Sequence, residues 1–262
     1  MLEAFAGIDV AFAKGKRLPV CVCCWIDGRL VPLPLWKAKS MPPRGQGNAA
    51  TLMDEKVLSF AETTAKYLRA VETEFHVEIC RIAIDAPSDP KEPGRPRRQC
   101  EQALDARHIR CITTPSADEF HQIKQKAAAH LASGGLESRL PHANQLWMLV
   151  GFALFARLRQ EWECLEVFPQ ATAALLNSAS AHKTTAAGLA TQLKALARHT
   201  RWPEPPETSA LRQISYGSSH DSLDAYSAAW IASLNDTERE PLGEPPNDVI
   251  WVAQISSSEG WD

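Results

Sequence analysis

A two-residue turn near the start of the chain constrains the fold more than any other feature. Asp27 and Gly28 join two apolar runs, PVCVCCWI (19–26) and RLVPLPLWKAK (29–39). Asp-Gly between such runs is a strong hairpin signal, because both residues tolerate the positive φ of a tight turn. AFAGIDVAF (4–12) reads as a further buried strand before them. These segments predict a three-stranded antiparallel meander, whose proline-containing third strand lies at or near an edge.

The rest of the chain alternates between helix-like and strand-like segments. Apolar residues recur at the helical period over 52–75, and VEICRIAIDAP (77–87) reads as a fourth strand. The later segments are predicted as helices near 96–107, 116–132, 142–162, 185–199 and 220–235, and as strands at 109–115, 164–171 and 248–255. A meander followed by crossover units predicts an α/β fold, with a mixed sheet of antiparallel and parallel strands flanked by helices.

The composition argues against several classes of protein. Apolar residues make up 45% of the 262 residues and the net charge is −3, which does not indicate a strongly basic nucleic-acid binder. Seven cysteines, an odd number, argue against a disulfide framework. MLEAFAGIDVAF lacks the basic region of a signal peptide, and no run of 18 apolar residues occurs. We therefore expect a cytoplasmic location and no membrane partner.

Acidic residues recur at the ends of predicted strands and on a late apolar helix. Asp9, Asp85 and Glu166 belong to the strands, and Asp221 and Asp224 to HDSLDAYSAAW. A carboxylate in an apolar setting is costly, and several that converge repel one another. Mg²⁺ or Mn²⁺ would cancel that repulsion, because both ions prefer oxygen ligands. Two such ions about 3.5–4 Å apart are a known arrangement for phosphodiester cleavage.

Simpler explanations exist for each carboxylate on its own. Asp9 precedes AFAKGK and would suit a turn cap, and Asp85 precedes Ala-Pro, where an Asx bond would fix the turn. Asp221 is a candidate N-cap of the last helix. None of these explanations accounts for the recurrence of acids at several strand ends of one sheet.

Basic residues follow two of these acids closely. Arg95, Arg97 and Arg98 come after the Asp85 loop, and would hold a phosphate backbone if their helix opens beside the acids. Lys14 and Lys16 follow Asp9 within reach of a bound phosphate. A solvated helix start and mobile surface lysines are the alternatives.

Two histidine-containing segments are ambiguous. HKTTAAGL, which begins at His182, either contacts substrate or starts a helix with Thr184 or Thr185 as N-cap. His220 is either a general base beside Asp221 or a structural histidine.

Six segments, in this order, resemble the family called domain of unknown function 429 (DUF 429). They are GIDVAFAKGK, IAIDAPSDP, RRQCEQALDARHIRCITTPS, LEVFPQATAALL, HKTTAAGLATQL and HDSLDAYSAAW. The resemblance covers residues 4 to about 235 and extends to the ribonuclease H-like superfamily. HDSLDA is also similar to the helix of RuvC-type junction resolvases, which carries two aspartates at this spacing. The loop after Asp9 departs from the family pattern, because it lacks the glycine-rich form found in many relatives.

The resemblance implies one ribonuclease H-like domain over 1–262, with a helical insertion around 116–160. It implies a nuclease that cleaves DNA or RNA with Mg²⁺ or Mn²⁺. The carboxylates expected to act in catalysis are Asp9, Asp85, Glu166, Asp221 and Asp224, and all but Glu166 are expected to bind metal. Glu166 belongs either to the metal cluster or beside it, and the choice between Asp221 and Asp224 as main ligand stays open. The expected substrate-binding residues are Lys14, Arg98 and Lys183.

Two other functions remain compatible with the sequence. Sugar kinases and actin-like ATPases share the ribonuclease H-like fold, so a nucleotide-binding phosphotransferase is one alternative. Only AFAKGK and YGSS approach the phosphate loops that such enzymes need. The other alternative is a catalytically silent interaction module, since a fold does not fix a function.

Overall fold

The computed structural model describes residues 1–214 and 216–255. Within that part of the chain, the strands are β1 (Leu2–Asp9), β2 (Val20–Ile26), β3 (Arg29–Pro32), β4 (Val77–Asp85), β5 (Glu163–Glu166), β6 (Arg239–Glu244) and β7 (Asp248–Ala253). The α-helices are α1 (Asp54–Phe75), α2 (Gln99–Ala106), α3 (Ala117–Ala132), α4 (Ala143–Leu146), α5 (Met148–Leu158), α6 (Pro169–Leu175), α7 (Ala186–Thr200) and α8 (Ser219–Ser233). None of the described helices combines the length and the apolar character needed to cross a lipid bilayer.

Five strands form one mixed sheet in the order β3-β2-β1-β4-β5. The pairs β1–β2 and β2–β3 are antiparallel, whereas β1–β4 and β4–β5 are parallel. The prediction of an α/β fold with a mixed sheet flanked by helices is thus confirmed, and the arrangement is compatible with a ribonuclease H-like fold. The single-domain prediction for 1–262, which includes positions outside the described residues, and the insertion around 116–160 stay predictions.

The Asp27–Gly28 turn forms as predicted, and the strand after it is shorter than predicted. Both turn residues have positive φ, 52° and 72°, and Ile26 pairs directly with Arg29. Strand β3 lies at the sheet edge and ends at Pro32, and a short 3₁₀ helix, Leu35–Lys37, follows it. The prolines explain the early end, because proline cannot donate a hydrogen bond to a neighbouring strand.

Two helical layers cover the sheet, as the alternation of side chains along β1 requires. Ala4, Ala6 and Ile8 point into a core shared with α1 and α5. Phe5 packs on the other side, against a core built from α7, α8 and two cysteines of β2, Cys21 and Cys23. All seven cysteines are free.

Close packing of α8 on β1 depends on Gly7. A Cβ atom at this position would lie 2.0 Å from the Ala225 carbonyl oxygen and 2.3 Å from the Ala229 backbone nitrogen. Helix α8 offers alanine at 225, 228 and 229 along the contact, so the two backbones meet almost directly. This contact fixes where the acidic start of α8 lies relative to the end of β1.

Several local predictions need correction. The strand predicted at 4–12 is β1, which ends at Asp9, and the strand predicted at 164–171 is β5, which ends at Glu166, before α6 begins at Pro169. Residues 109–115 do not form a strand, although Ile109 is buried in a small core with α2. The predicted helix 142–162 is divided into α4 and α5 and ends at Leu158, before β5 begins. Strand β6 was not predicted; it forms a separate two-stranded sheet with β7. The sequence does not indicate β6, because it contains Pro241 and Gly243, and both residue types are unfavourable within strands.

Candidate metal centre

Two aspartates lie side by side at the carboxyl ends of β1 and β4. The strands are parallel, and Asp9 and Asp85 are the last residues of their shared register. In open α/β sheets, ligands bind in the crevice outside the carboxyl ends of the strands. Among the described residues, neither carboxylate accepts a hydrogen bond, so the turn-capping explanations for both residues find no support.

Helix α8 brings a third carboxylate to the same point. Asp224 precedes Ala225, whose carbonyl oxygen packs against Gly7 two residues before Asp9. One oxygen from each of Asp9, Asp85 and Asp224 lies within 4.8 Å of the others. No other group of three His, Cys, Asp or Glu side chains in residues 1–214 and 216–255 meets this spacing.

The three carboxylates have one cationic partner close to them. Lys183 lies in the turn before α7 and donates a hydrogen bond from Nζ to Oδ2 of Asp224. Burial opposes the charge of the lysine, but Asp224 and then Asp85 and Asp9 raise the pKa of Lys183 above its ordinary value. The lysine is therefore protonated, and one positive charge faces three carboxylates.

The pKa of each aspartate in the cluster is raised. Burial is the main cause for Asp9, followed by the charges of Asp85 and Asp224. Burial and then Asp224 raise the pKa of Asp85 to about 7. Burial also raises the pKa of Asp224, although Lys183 lowers it in part. The cluster thus has a deficit of positive charge, which a proton or a metal ion can supply.

Asp221 lies outside this group of three. It is the third residue of α8, and its Oδ2 accepts hydrogen bonds from the backbone N–H and the hydroxyl of Ser218, at 3.1 and 2.7 Å. Lys16 Nζ lies 2.7 Å from the same oxygen, and His220 Nδ1 lies 3.1 Å from Oδ1. Burial raises the pKa of Asp221, but Lys16 and Ser218 hold it below its ordinary value. The geometry favours Asp224 over Asp221 as the metal ligand.

Glu166 has a different environment at the end of β5. Its two oxygens accept hydrogen bonds from Arg98 Nη1 and Nη2, at 2.7 and 2.8 Å, and Oε2 also accepts one from the Ser88 backbone N–H. Arg98 Nε donates to Asp248 Oδ1 at 3.2 Å. Glu166 therefore lies beside the metal cluster, close enough to raise the pKa of Asp85, rather than within it.

The predicted substrate-binding residues differ in their distance from the carboxylates. Lys183 contacts the cluster directly. Lys14 is exposed in the turn after β1, where Lys16 is the lysine that reaches an acid of α8. Arg98 is only 3% exposed, and its guanidinium donates hydrogen bonds to Glu166 and Asp248. Substrate binding by these three residues stays a prediction.

Asp248 is a residue that the sequence interpretation missed. Its Oδ2 accepts a hydrogen bond of 2.6 Å from the Gln99 backbone N–H at the start of α2. The residue lies in β7, far along the chain from the helix that it caps, so no local pattern indicates the contact. By contrast, Thr185 caps α7 by accepting a hydrogen bond from Gly188 N–H, as one of the two sequence alternatives predicts.

The donor set fits a hard divalent cation. Mg²⁺ binds carboxylate oxygens at about 2.1 Å, so two oxygens on opposite sides of one ion lie about 4.2 Å apart. The spacing of up to 4.8 Å in the cluster is close to that value. Like charges about 4 Å apart repel by about 4 kcal/mol at an effective dielectric constant of about 20, so an ion that removes this repulsion gains affinity. Asp9, Asp85 and Asp224 together could hold a metal ion.

Comparison with known proteins adds one match. A family model described as "Protein of unknown function (DUF429)" matches residues 7–247. No curated protein and no solved structure matches the chain. The matched range contains all three carboxylates of the cluster, Lys183 and the Glu166–Arg98 pair.

Proposed function

The chain belongs to the family described as protein of unknown function DUF429, and on that premise we propose that it is a metal-dependent nuclease. The reaction is hydrolysis of a phosphodiester bond in DNA or RNA, with Mg²⁺ or Mn²⁺ as the cofactor. One observation carries the proposal: Asp9, Asp85 and Asp224 present oxygens within 4.8 Å of one another. Among described residues, only one lysine is hydrogen-bonded to any of the three.

Each residue of the centre has a separate task in this proposal. Asp9, Asp85 and Asp224 hold the metal, which supplies a Lewis acid and an activated water when bound. Lys183 fixes the Asp224 carboxylate and keeps a positive charge next to the site where a phosphate group would lie. The Glu166–Arg98 pair supports the end of β5 beside them.

Cleavage by matched variants tests the proposal. Labelled single-stranded, duplex and branched DNA and RNA would be incubated with Mn²⁺, Mg²⁺ or a chelator. Loss of a group that merely orients a metal ligand costs 10- to 100-fold, so Asp9→Asn should lower cleavage by at least about 100-fold. Asp118→Asn, on the exposed first turn of α3, is the control and should cleave normally.

Three results would contradict the proposal. Cleavage that survives both the chelator and Asp9→Asn would come from another source. Saturable ATP binding without cleavage would favour the phosphotransferase alternative. Absence of metal binding in calorimetry would favour an interaction module.

Crystals soaked in Mn²⁺ give an independent test of the ligand set. We expect an anomalous peak between Asp9, Asp85 and Asp224, and none bound by Asp221 alone. A peak at Asp221 without Asp9 would show that the cluster is not the metal centre.

A further inference from the structure

A pocket of about 430 Å³ adjoins the metal centre beyond the end of β4. Asp85 belongs both to its lining and to the carboxylate cluster. The volume is in the range of cavities that bind small ligands. Residues from separate parts of the chain form much of the remaining wall: Arg110, Ile112, Trp147, Met148 and Phe168.

The wall of this pocket is largely apolar and aromatic. Trp147 and Phe168 are half-buried, and Ile112 is 47% exposed. Arg110 adds an exposed cation at the same pocket. Flat apolar surfaces next to a positive charge suit a planar, polar-edged ring attached to an anion.

The shared residue Asp85 limits what such a ligand can be. If a metal at Asp85 binds a phosphate group of the substrate, the sugar attached to that phosphate lies next to the pocket, and the base on that sugar can enter it. We propose, on the premise that the protein is a nuclease, that the pocket receives one unpaired base next to the bond that is cut. The substrate class is then single-stranded or locally unpaired nucleic acid.

Base pairing explains why a duplex is excluded. A base within a duplex is covered by its neighbours and by its partner, so it must leave the stack to enter a walled pocket. Contact between a base and aromatic side chains typically changes affinity by about 5- to 150-fold. The pocket therefore selects unpaired substrates by roughly that factor.

Binding measurements test the pocket without requiring cleavage. Calorimetry in Mn²⁺ would compare a deoxynucleoside 5′-monophosphate with deoxyribose 5-phosphate, which has the same phosphate and lacks the base. We expect the nucleotide to bind at least about 5-fold more tightly.

Two pocket variants and one control sharpen this comparison. Ile112→Asp places a hydrated charge in the pocket, and Trp147→Leu removes an aromatic wall. Each should bring the affinity ratio of the two phosphates close to one. The ratio cancels any general repulsion of phosphate by the new aspartate. Leu58→Asp changes an exposed apolar residue of α1 outside the pocket and should leave the ratio unchanged. If Trp147→Leu fails to fold, Ile112→Asp alone decides the test.

Cleavage assays complete the test with one abasic residue moved along a single-stranded oligonucleotide. We expect cuts next to the abasic position to weaken by about 5- to 150-fold, and a fully paired duplex to be cut more slowly by a similar factor. If cleavage is independent of the abasic position and the nucleotide and deoxyribose 5-phosphate bind equally, the proposed base pocket is wrong, whereas the proposed nuclease activity is unaffected. Base-dependent binding without cleavage of any nucleic acid would refute the nuclease and leave a base-binding pocket. Absence of both would refute both.

Discussion

Glu166, which is buried, and the half-buried pair of Asp9 and Asp85 lie at neighbouring strand ends, and their surroundings differ. Glu166 accepts two hydrogen bonds from Arg98 and one from Ser88 N–H. Asp9 and Asp85 accept none from the described residues. The Glu166 charge is thus neutralised within the protein, whereas the charge of the aspartates is not.

This difference separates a structural contact from a binding site. Burial alone would lower the pKa of Arg98, but its contact with Glu166 raises that pKa. Burial also raises the pKa of Glu166, and Arg98 and the Ser88 backbone N–H oppose that rise. At the aspartates, burial and mutual repulsion raise the pKa of every member. A bound cation would relieve such repulsion. Four measurements test whether the two environments differ in this way.

The largest effect is expected at the neutralised pair. Glu166→Gln leaves the Arg98 guanidinium, which is 3% exposed, with Asp248 as its remaining charged partner. Breaking a buried ion pair from one side costs about 3–5 kcal/mol, and we expect a loss of that order in the free energy of unfolding. Urea denaturation measures it. The double variant Glu166→Leu with Arg98→Met should recover part of the loss, and a single-variant loss below about 1 kcal/mol would show that the pair is not structural.

A metal ion should stabilise the protein in a pH-dependent way. At 100 times its dissociation constant, Mn²⁺ should raise the free energy of unfolding by about 2.7 kcal/mol. The raised pKa of Asp85, about 7 against 3.8 for the ordinary residue, means that the folded protein binds more protons between those values. This residue's contribution to metal-free stability therefore falls as pH rises from about 4 to 7.

Metal and protons compete for the same carboxylates, so the stabilisation by Mn²⁺ at a fixed concentration should be larger at pH 8 than at pH 5.5. Thermal denaturation at both pH values measures the difference. Asp85→Asn is the matched control and should remove most of this pH dependence. An equal metal effect at the two pH values would argue against binding at the cluster.

Asp9→Asn should stabilise the metal-free protein. The substitution keeps the shape of the side chain and removes one of the repelling charges, and single stabilising substitutions, charge optimisation among them, commonly gain about 0.5–2 kcal/mol. The same variant should lose the stabilisation by Mn²⁺. Both quantities come from denaturation with and without metal. A variant that is less stable than the original and still responds to Mn²⁺ would place Asp9 with the structural carboxylates.

The smallest effect is expected at Asp221. Asp221→Asn keeps a hydrogen-bond acceptor for Ser218 and removes the charge that faces Lys16, which is 33% exposed. A loss of about 0.5 kcal/mol is expected, in the range of partly exposed ion pairs. The response to Mn²⁺ should survive, unlike in Asp9→Asn. If Asp221→Asn no longer responded to Mn²⁺, Asp221 would be a metal ligand after all.

The placement of the two acids on neighbouring strands was predictable from the sequence because the determinants are local. Asp9 lies within one apolar run and Asp85 near the end of another, and parallel neighbours place them together. The end of β1 at Asp9 was not predicted, because the apolar run continues to Phe12. The Asp27–Gly28 turn was equally predictable, because two adjacent residues are enough to determine this type of turn. Which of Asp221 and Asp224 belongs to the carboxylate cluster could not be predicted from the sequence. The answer depends on which turn of α8 meets β1 and on the partners Lys16 and Lys183.

Contacts between distant segments explain the remaining differences. Phosphate binding by Arg98 stays a prediction, and the sequence did not indicate the contact of its guanidinium with Glu166, 68 residues further along the chain. Asp248 caps α2 across 149 residues. Strand β6 contains proline and glycine and becomes a strand through pairing with β7. Such pairings depend on tertiary packing, which overrides local preference.

Gly7 has a consequence for how the metal centre is assembled. Because main chain meets main chain at this residue, the interval between Asp9 and Asp224 is set by the backbone rather than by flexible side chains. The main chain thus positions Asp224 relative to Asp9, and an ion bound between them would require little rearrangement of the chain. A methyl group added at position 7 would therefore push α8 away from β1 and move Asp224 away from Asp9.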